Sequence, residues 1–245
     1  MKVLPVFFLI LFPAFAAAFF PDDEISVLQA VTSGWDVGDR IAFWADQFVD
    51  APYDTDPLGD YVRRAVIVAD ERVDCMYLAF RSVELALGKD PAESVALALE
   101  KRFHQKGIIE DGKVKNYENR FRYGEDMIAS GKWGKEITSD LGPTVVVRGK
   151  AGREQVAVIP KQEIPNALSG LHNGDIVFFV KAPEQRQGDE IVGHIGVIKR
   201  EQDDVYLISA FGQKNKGGKV KKVFLSEYSA EMPFIGIKVT RLEQP

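Results

Sequence analysis

Apolar residues recur at helical spacing through the first half of the chain and alternate with polar ones through much of the second. Between residues 26 and 50, amphipathic helical stretches bring Ile41, Phe43, Trp44 and Phe48 forward as core contacts. Ala51-Pro52-Tyr53-Asp54 ends that region, because proline cannot continue a helix. A turn-rich connection through Asp56-Pro57 and Leu58-Gly59 leads to residues 65–69 (AVIVA), which read as a short buried strand. From 74 to 87 the pattern becomes DCMYLAFRSVELAL, apolar on most faces and closed by Gly88. That pattern predicts a central, buried helix. Asp90 and Pro91 then supply an N-cap and a first-turn proline for another helix, running to about Phe103.

Residues 125–130 predict one more short helix before Gly131, and after Pro143 the reading turns to strand. Strands are expected at 144–148, 154–159, 175–180, 194–200, 205–210, 219–224 and 234–241, most of them separated by glycine, proline or charged turns. Helices first and strands second define the α+β class, with N-terminal helices packed on a mostly antiparallel sheet.

The first twenty residues stand apart. MKVLPVFFLILFPAFAAAFF is an apolar run behind a single lysine, and Ala14-Phe15-Ala16 and Ala16-Ala17-Ala18 both satisfy the small-residue rule for cleavage after Ala16 or Ala18. Pro5, Pro13 and the acidic Pro21-Asp22-Asp23-Glu24 flank favour a cleaved export signal over a membrane span. Residues 1–18 therefore read as a signal peptide and 19–245 as one domain, periplasmic or secreted, with no stable membrane anchor after cleavage. The chain carries a formal charge of −5, and −6 once Lys2 is lost, which speaks against a broad nucleic-acid surface.

Export changes the meaning of the single cysteine, Cys75, which has no partner for a disulfide within the chain. One Cys and three scattered His (104, 172 and 194) give no metal-ligand spacing, and no phosphate-binding or dinucleotide fingerprint is present. No metal or other cofactor is implied. What remains is nucleophilic chemistry by Cys and His. Cys75 follows Asp74 at the predicted first turn of the central helix, where the positive end of the helix favours a thiolate. His194 stands in Gly193-His194-Ile195-Gly196-Val197, and alternation puts His194, Gly196 and Ile198 on one face, leaving room beside the imidazole. Against this stand the plain readings, a buried cysteine acting as a small hydrophobe and a hydrogen-bonded histidine on a sheet.

The order Ala-Pro-Tyr, Val-Asp-Cys opening a helix, Asn-Gly-Asp-Ile-Val-Phe-Phe and Gly-His-Ile-Gly-Val resembles the NlpC-type, papain-like cysteine peptidases and amidases of bacterial cell walls. The long connection from Tyr53 to Cys75 and the insert before Gly174 resemble their N-acetylmuramoyl-L-alanine amidase-like branch. The resemblance implies the NlpC-type fold over roughly residues 40–240. It implies Cys75 as nucleophile and His194 as the base that takes its proton and later protonates the leaving amine. Tyr53 would help form the oxyanion site with the backbone N–H of Cys75, and Asp74 would shape the substrate pocket. Asp175, in the Gly-Asp turn, would be structural. The family's third residue, which orients the imidazole, matches Ser209 here, with Gln213 just beyond it as a substitute. The implied partner is peptidoglycan or a muropeptide fragment, cut at the muramic acid–L-alanine amide or within the stem peptide. The alternatives are a catalytically weakened cell-wall binding module of the same fold, or a papain-like enzyme acting on another acyl substrate.

Overall fold

The computed structural model describes residues 20–149, 155–186 and 190–243. The export-signal reading and both expected cleavage positions fall outside the described residues. The helical half comprises α1 (Asp22–Thr32), α2 (Val37–Gln47), a short α3 (Asp60–Arg64), α4 (Cys75–Leu87) and α5 (Pro91–Lys101). A small hairpin of β1 (Ile109–Glu110) and β2 (Lys113–Val114), then α6 (Gly124–Ser130) and β3 (Lys135–Glu136), lead into the strand half. There follow β4 (Val145–Arg148), β5 (Gln155–Pro160), α7 (Ile164–Ala167), β6 (Ile176–Val180), β7 (Val192–Glu201), β8 (Asp204–Gln213), β9 (Gly217–Phe224), α8 (Leu225–Glu231) and β10 (Gly236–Arg241). The architecture is α+β, as the alternation of patterns predicts, and each strand expected after Pro143 is present within a few residues of its expected bounds.

The main sheet runs β4-β5-β10-β6-β7-β8-β9, with β3 adding to β10, and its strand pairs are antiparallel. Alternation gives each central strand two buried faces. Ile176, Phe178, Ile195, Val197, Ile208 and Ala210 meet α2 and α4. Val177, Phe179, Ile198, Leu207, Ile237 and Val239 meet the residues of α7 and α8 on the other side. With both faces covered, β6 is buried along its whole length. The ladder between β7 and β8 ends at Val197–Ile208, although both strands run on beyond it. β7 stays paired with β6 there and β8 with β9, so the sheet is parted at this end.

α4 forms where the sequence predicts it. The Asp74 carboxylate accepts from the Tyr77 N–H at 2.8 Å, satisfying one of the orphan donors of the first turn. Leu78, Phe80, Val83 and Leu85 are fully buried, each large apolar side chain contributing about 1.5–3 kcal/mol relative to exposure. α5 starts in the same way, Asp90 accepting from the Glu93 N–H at 2.7 Å with Pro91 in the first turn.

Two features depart from the sequence reading. Residues 65–69 form no strand. Ala65 has a left-handed backbone (φ 56°), and side chains satisfy the polar groups that a ladder would have used. The Val66 carbonyl accepts from the Tyr117 hydroxyl, the Ile67 carbonyl from Arg102 at 2.9 Å, and the Ala69 N–H donates to the Tyr77 hydroxyl at 2.6 Å. The second feature is charge inside α4. Arg81 and Glu84 are buried along with Asp70 and Arg102. Arg81 donates to both oxygens of Asp70 at 3.0 Å, and Arg102 holds Glu84 through two bonds of 2.6 Å. The Arg102 guanidinium also lies over the Tyr77 ring, 4.7 Å from its centroid.

Candidate active site

Cys75 is the first residue of α4, partly exposed, at a cleft of about 350 Å³ that His194, Tyr53, Asp74 and Lys214 also line. The parted strands explain how a helix start reaches the sheet. The Ile195 N–H, which has no β8 ladder partner, is directed at the Cys75 sulfur, and the Ile195 carbonyl accepts from the Ser209 hydroxyl at 2.5 Å.

His194 reaches the same cleft from the other side of the sheet. It is paired with Phe179 on β6, and its ring packs among Phe211 (centroids 5.1 Å), Phe179 (5.7 Å), Tyr228 (5.9 Å) and Phe234 (6.4 Å, stacked). Its Nε2 is buried and has no hydrogen-bond partner. Burial in this aromatic surround pushes the imidazole down to about 4. The space expected beside it at Gly196 is taken by Leu207, whose Cδ1 would lie 2.4 Å from a Cβ at that glycine.

The other expected site residues divide. Tyr53 lies in the extended stretch that bridges Val73 and bonds to Gly218, and its ring packs against Gly212. Its phenol is raised above the ordinary range by burial first and then by Cys75 and Asp74, which puts it within electrostatic reach of the sulfur. Asp74 has two roles, one oxygen capping α4 and the other meeting Lys214 at 3.1 Å. Ser209 is fully buried, but its hydroxyl is committed to the Ile195 carbonyl, and Phe211 stands against the imidazole instead. Gln213 is exposed at the end of β8 and does not line the cleft. Asp175 is structural, held by Arg241 at 2.6 and 2.7 Å.

Lys214 is the residue that sequence reasoning passed over. It opens the basic stretch 214–222, and its ammonium donates to the Asp54 carbonyl and Asp74 and sits over the Tyr53 ring. Tyr228 on α8 is a second such residue, close enough to the sulfur for its own ionisation to be opposed by it. Nothing local in the sequence marks either one.

The thiol and the imidazole themselves both rest neutral. Burial pushes the Cys75 thiol up to about 12 and Asp74 adds to this, while the Ile195 N–H, Lys214 and the Met76 N–H pull the other way. With the imidazole held low, thiol and imidazole are both uncharged at pH 7. The two groups share a cleft without forming a resting ion pair, and the buried imidazole Nε2 has no hydrogen-bond partner that would join it to the sulfur. Among the described residues no group of three or more His, Cys, Asp or Glu side chains is placed to hold a metal ion.

No family model matches this sequence, and no curated protein matches it. Solved structures do share the fold. An N-acetylmuramoyl-L-alanine amidase from Bacteroides uniformis is 18% identical, with a TM-score of 0.64 over 85% of this chain and 99% of that one. A Legionella pneumophila protein of the DUF1460 family gives a TM-score of 0.69 at 16% identity, over 91% of this chain and 95% of that one. A putative xylanase from Bacteroides fragilis gives 0.63 at 20%, over 82% and 100%. At these identities the likeness establishes a common α+β fold.

Proposed function

We propose that the chain is an exported cysteine hydrolase that cleaves an amide bond of bacterial peptidoglycan, at muramic acid–L-alanine or within the stem peptide. The observation that carries this reading is Cys75 on the first turn of α4, opening on a cleft shared with His194 and Tyr53. The fold in common with the Bacteroides uniformis amidase supports the choice of substrate. The sulfur attacks the amide carbonyl as its proton passes to His194. The carbonyl oxygen is received by the Tyr53 hydroxyl and the backbone N–H groups at the start of α4. His194 then protonates the departing amine, and water hydrolyses the thioester, returning the thiol. Export would place the enzyme in the periplasm or outside the cell, where its substrate is.

Digestion of muropeptides followed by mass spectrometry tests this. The wild type releases a cleaved product, and Cys75→Ala, which removes one sulfur at a helix start, releases none while keeping its circular dichroism spectrum. A Cys75→Ala protein with full activity would overturn the reading. One observation favours a second, a wall-binding module that has lost catalysis: the imidazole Nε2 has no partner to orient the ring, and an apolar cage keeps it neutral. A wild-type protein that binds muropeptides without cleaving them would establish that reading.

A further inference from the structure

The charges along the cleft are unevenly matched. Asp74 has Lys214 as its partner and Glu190 has Lys181. Arg120 and Arg122 line the same cleft and make no ion pair among the described residues, although the chain as a whole is acidic. Among the described residues the side chain of Arg120 donates to the Tyr117 carbonyl at 2.8 Å, and Arg122 is exposed.

Their placement is fixed from below. Phe121 between them is fully buried, edge-on to the His104 ring at 4.7 Å, with its N–H bonded to the Arg102 carbonyl at 2.9 Å. Arg120 itself is extended (φ −68°, ψ 155°), and the buried Phe121 anchors the chain between two arginines that both line the cleft. Two arginines lining one cleft offer guanidinium donors suited to a planar anion. A phosphate would also satisfy two arginines. A carboxylate is the group that a peptide amide substrate brings with it.

We propose that Arg120 and Arg122 are the specificity-determining residues of this site, selecting peptides that carry a free carboxylate close to the amide being cut. This rests on the hydrolase reading above and narrows its substrate class. Peptidoglycan stem peptides occur in both forms, with the glutamate carboxylate free or converted to a carboxamide. The site takes the acidic form.

The test uses two muropeptides that differ only in that group, compared by kcat/KM and, separately, by calorimetric titration of the protein. The wild type prefers the carboxylate by about tenfold or more, the scale of one charge-assisted hydrogen bond. Arg122→Gln and Arg120→Gln each reduce the preference, and Arg122→Glu reverses it. Arg122 is exposed, so its variants keep the test valid even if Arg120→Gln disturbs the fold. Equal handling of the two peptides by the wild type, or a preference unchanged in both Gln variants, overturns the proposal. If neither peptide is hydrolysed, the hydrolase reading fails alone, because the titration still reads the carboxylate preference.

Discussion

Along its middle turns α4 holds Arg81 and Glu84 against Asp70 and Arg102, and at its first turn it holds Cys75 beside a cleft that it shares with His194. Both regions bury ionisable groups, with opposite outcomes. In the ionic cluster each charge faces an opposite one within hydrogen-bond distance, and the helix is locked to residues 67–70 and α5. At the first turn burial and Asp74 outweigh Lys214 and hold the sulfur as a thiol, while on β7 a cage of rings holds the imidazole neutral. Burial with a matched charge fixes structure. Burial without one leaves a group able to change its protonation state, and this costs stability.

The largest break of that comparison is Glu84→Ala. It leaves Arg102 charged and unpaired in the core, and urea unfolding should show a loss of about 3–5 kcal/mol. A loss below about 1 kcal/mol would mean that the cluster does not hold the fold. The second concerns His194. Its folded-state value of about 4 lies below the 6.5 of an ordinary imidazole, so between these values the unfolded chain takes up a proton that the folded one refuses. This residue's share of stability is therefore complete above about pH 7, is lost as pH falls towards 4, and is constant below that. The loss amounts to up to ~3 kcal/mol. His194→Phe, which suits the aromatic surround, should flatten that part of the profile. The same pH slope in wild type and variant would show that the imidazole is not held neutral. The smallest effect is Ser209→Ala, which leaves the Ile195 carbonyl without its hydroxyl donor. It should cost about 1–2 kcal/mol and shift the His194 titration followed by NMR little. A large shift would return Ser209 to the role of orienter.

How far the sequence could be read follows the same division. α4, α5 and the strands after Pro143 were legible because periodicity and capping are local properties. Asp74 and Asp90 cap the helices they precede. Residues 65–69 were not legible, since five apolar residues look alike whether a ladder or a set of side chains satisfies their backbone. Here the partners are Tyr77, Arg102 and Tyr117, which lie up to 51 positions away. Nor does the local pattern of α4 account for the charge of Glu84, whose partner is 18 positions on. In the site, the resemblance brought Cys75, His194, Tyr53 and Asp74 to one cleft. It did not foresee Phe211 against the imidazole, because which side chain fills a gap between strands depends on where the ladder stops.

The parting of β7 and β8 bears on how this region tolerates change. The donor aimed at the Cys75 sulfur is the amide of Ile195, a group that every residue but proline supplies. Exchanging the side chain at 195 alters the packing on α4 and leaves that donor in place. The environment of the sulfur is thus written into the path of the chain more than into the identity of its neighbours. Rings, hydroxyls and charges around the cleft can drift through many substitutions while the thiol keeps its seat. A lineage carrying this fold can therefore change the lining of this cleft without first rebuilding the seat of the sulfur.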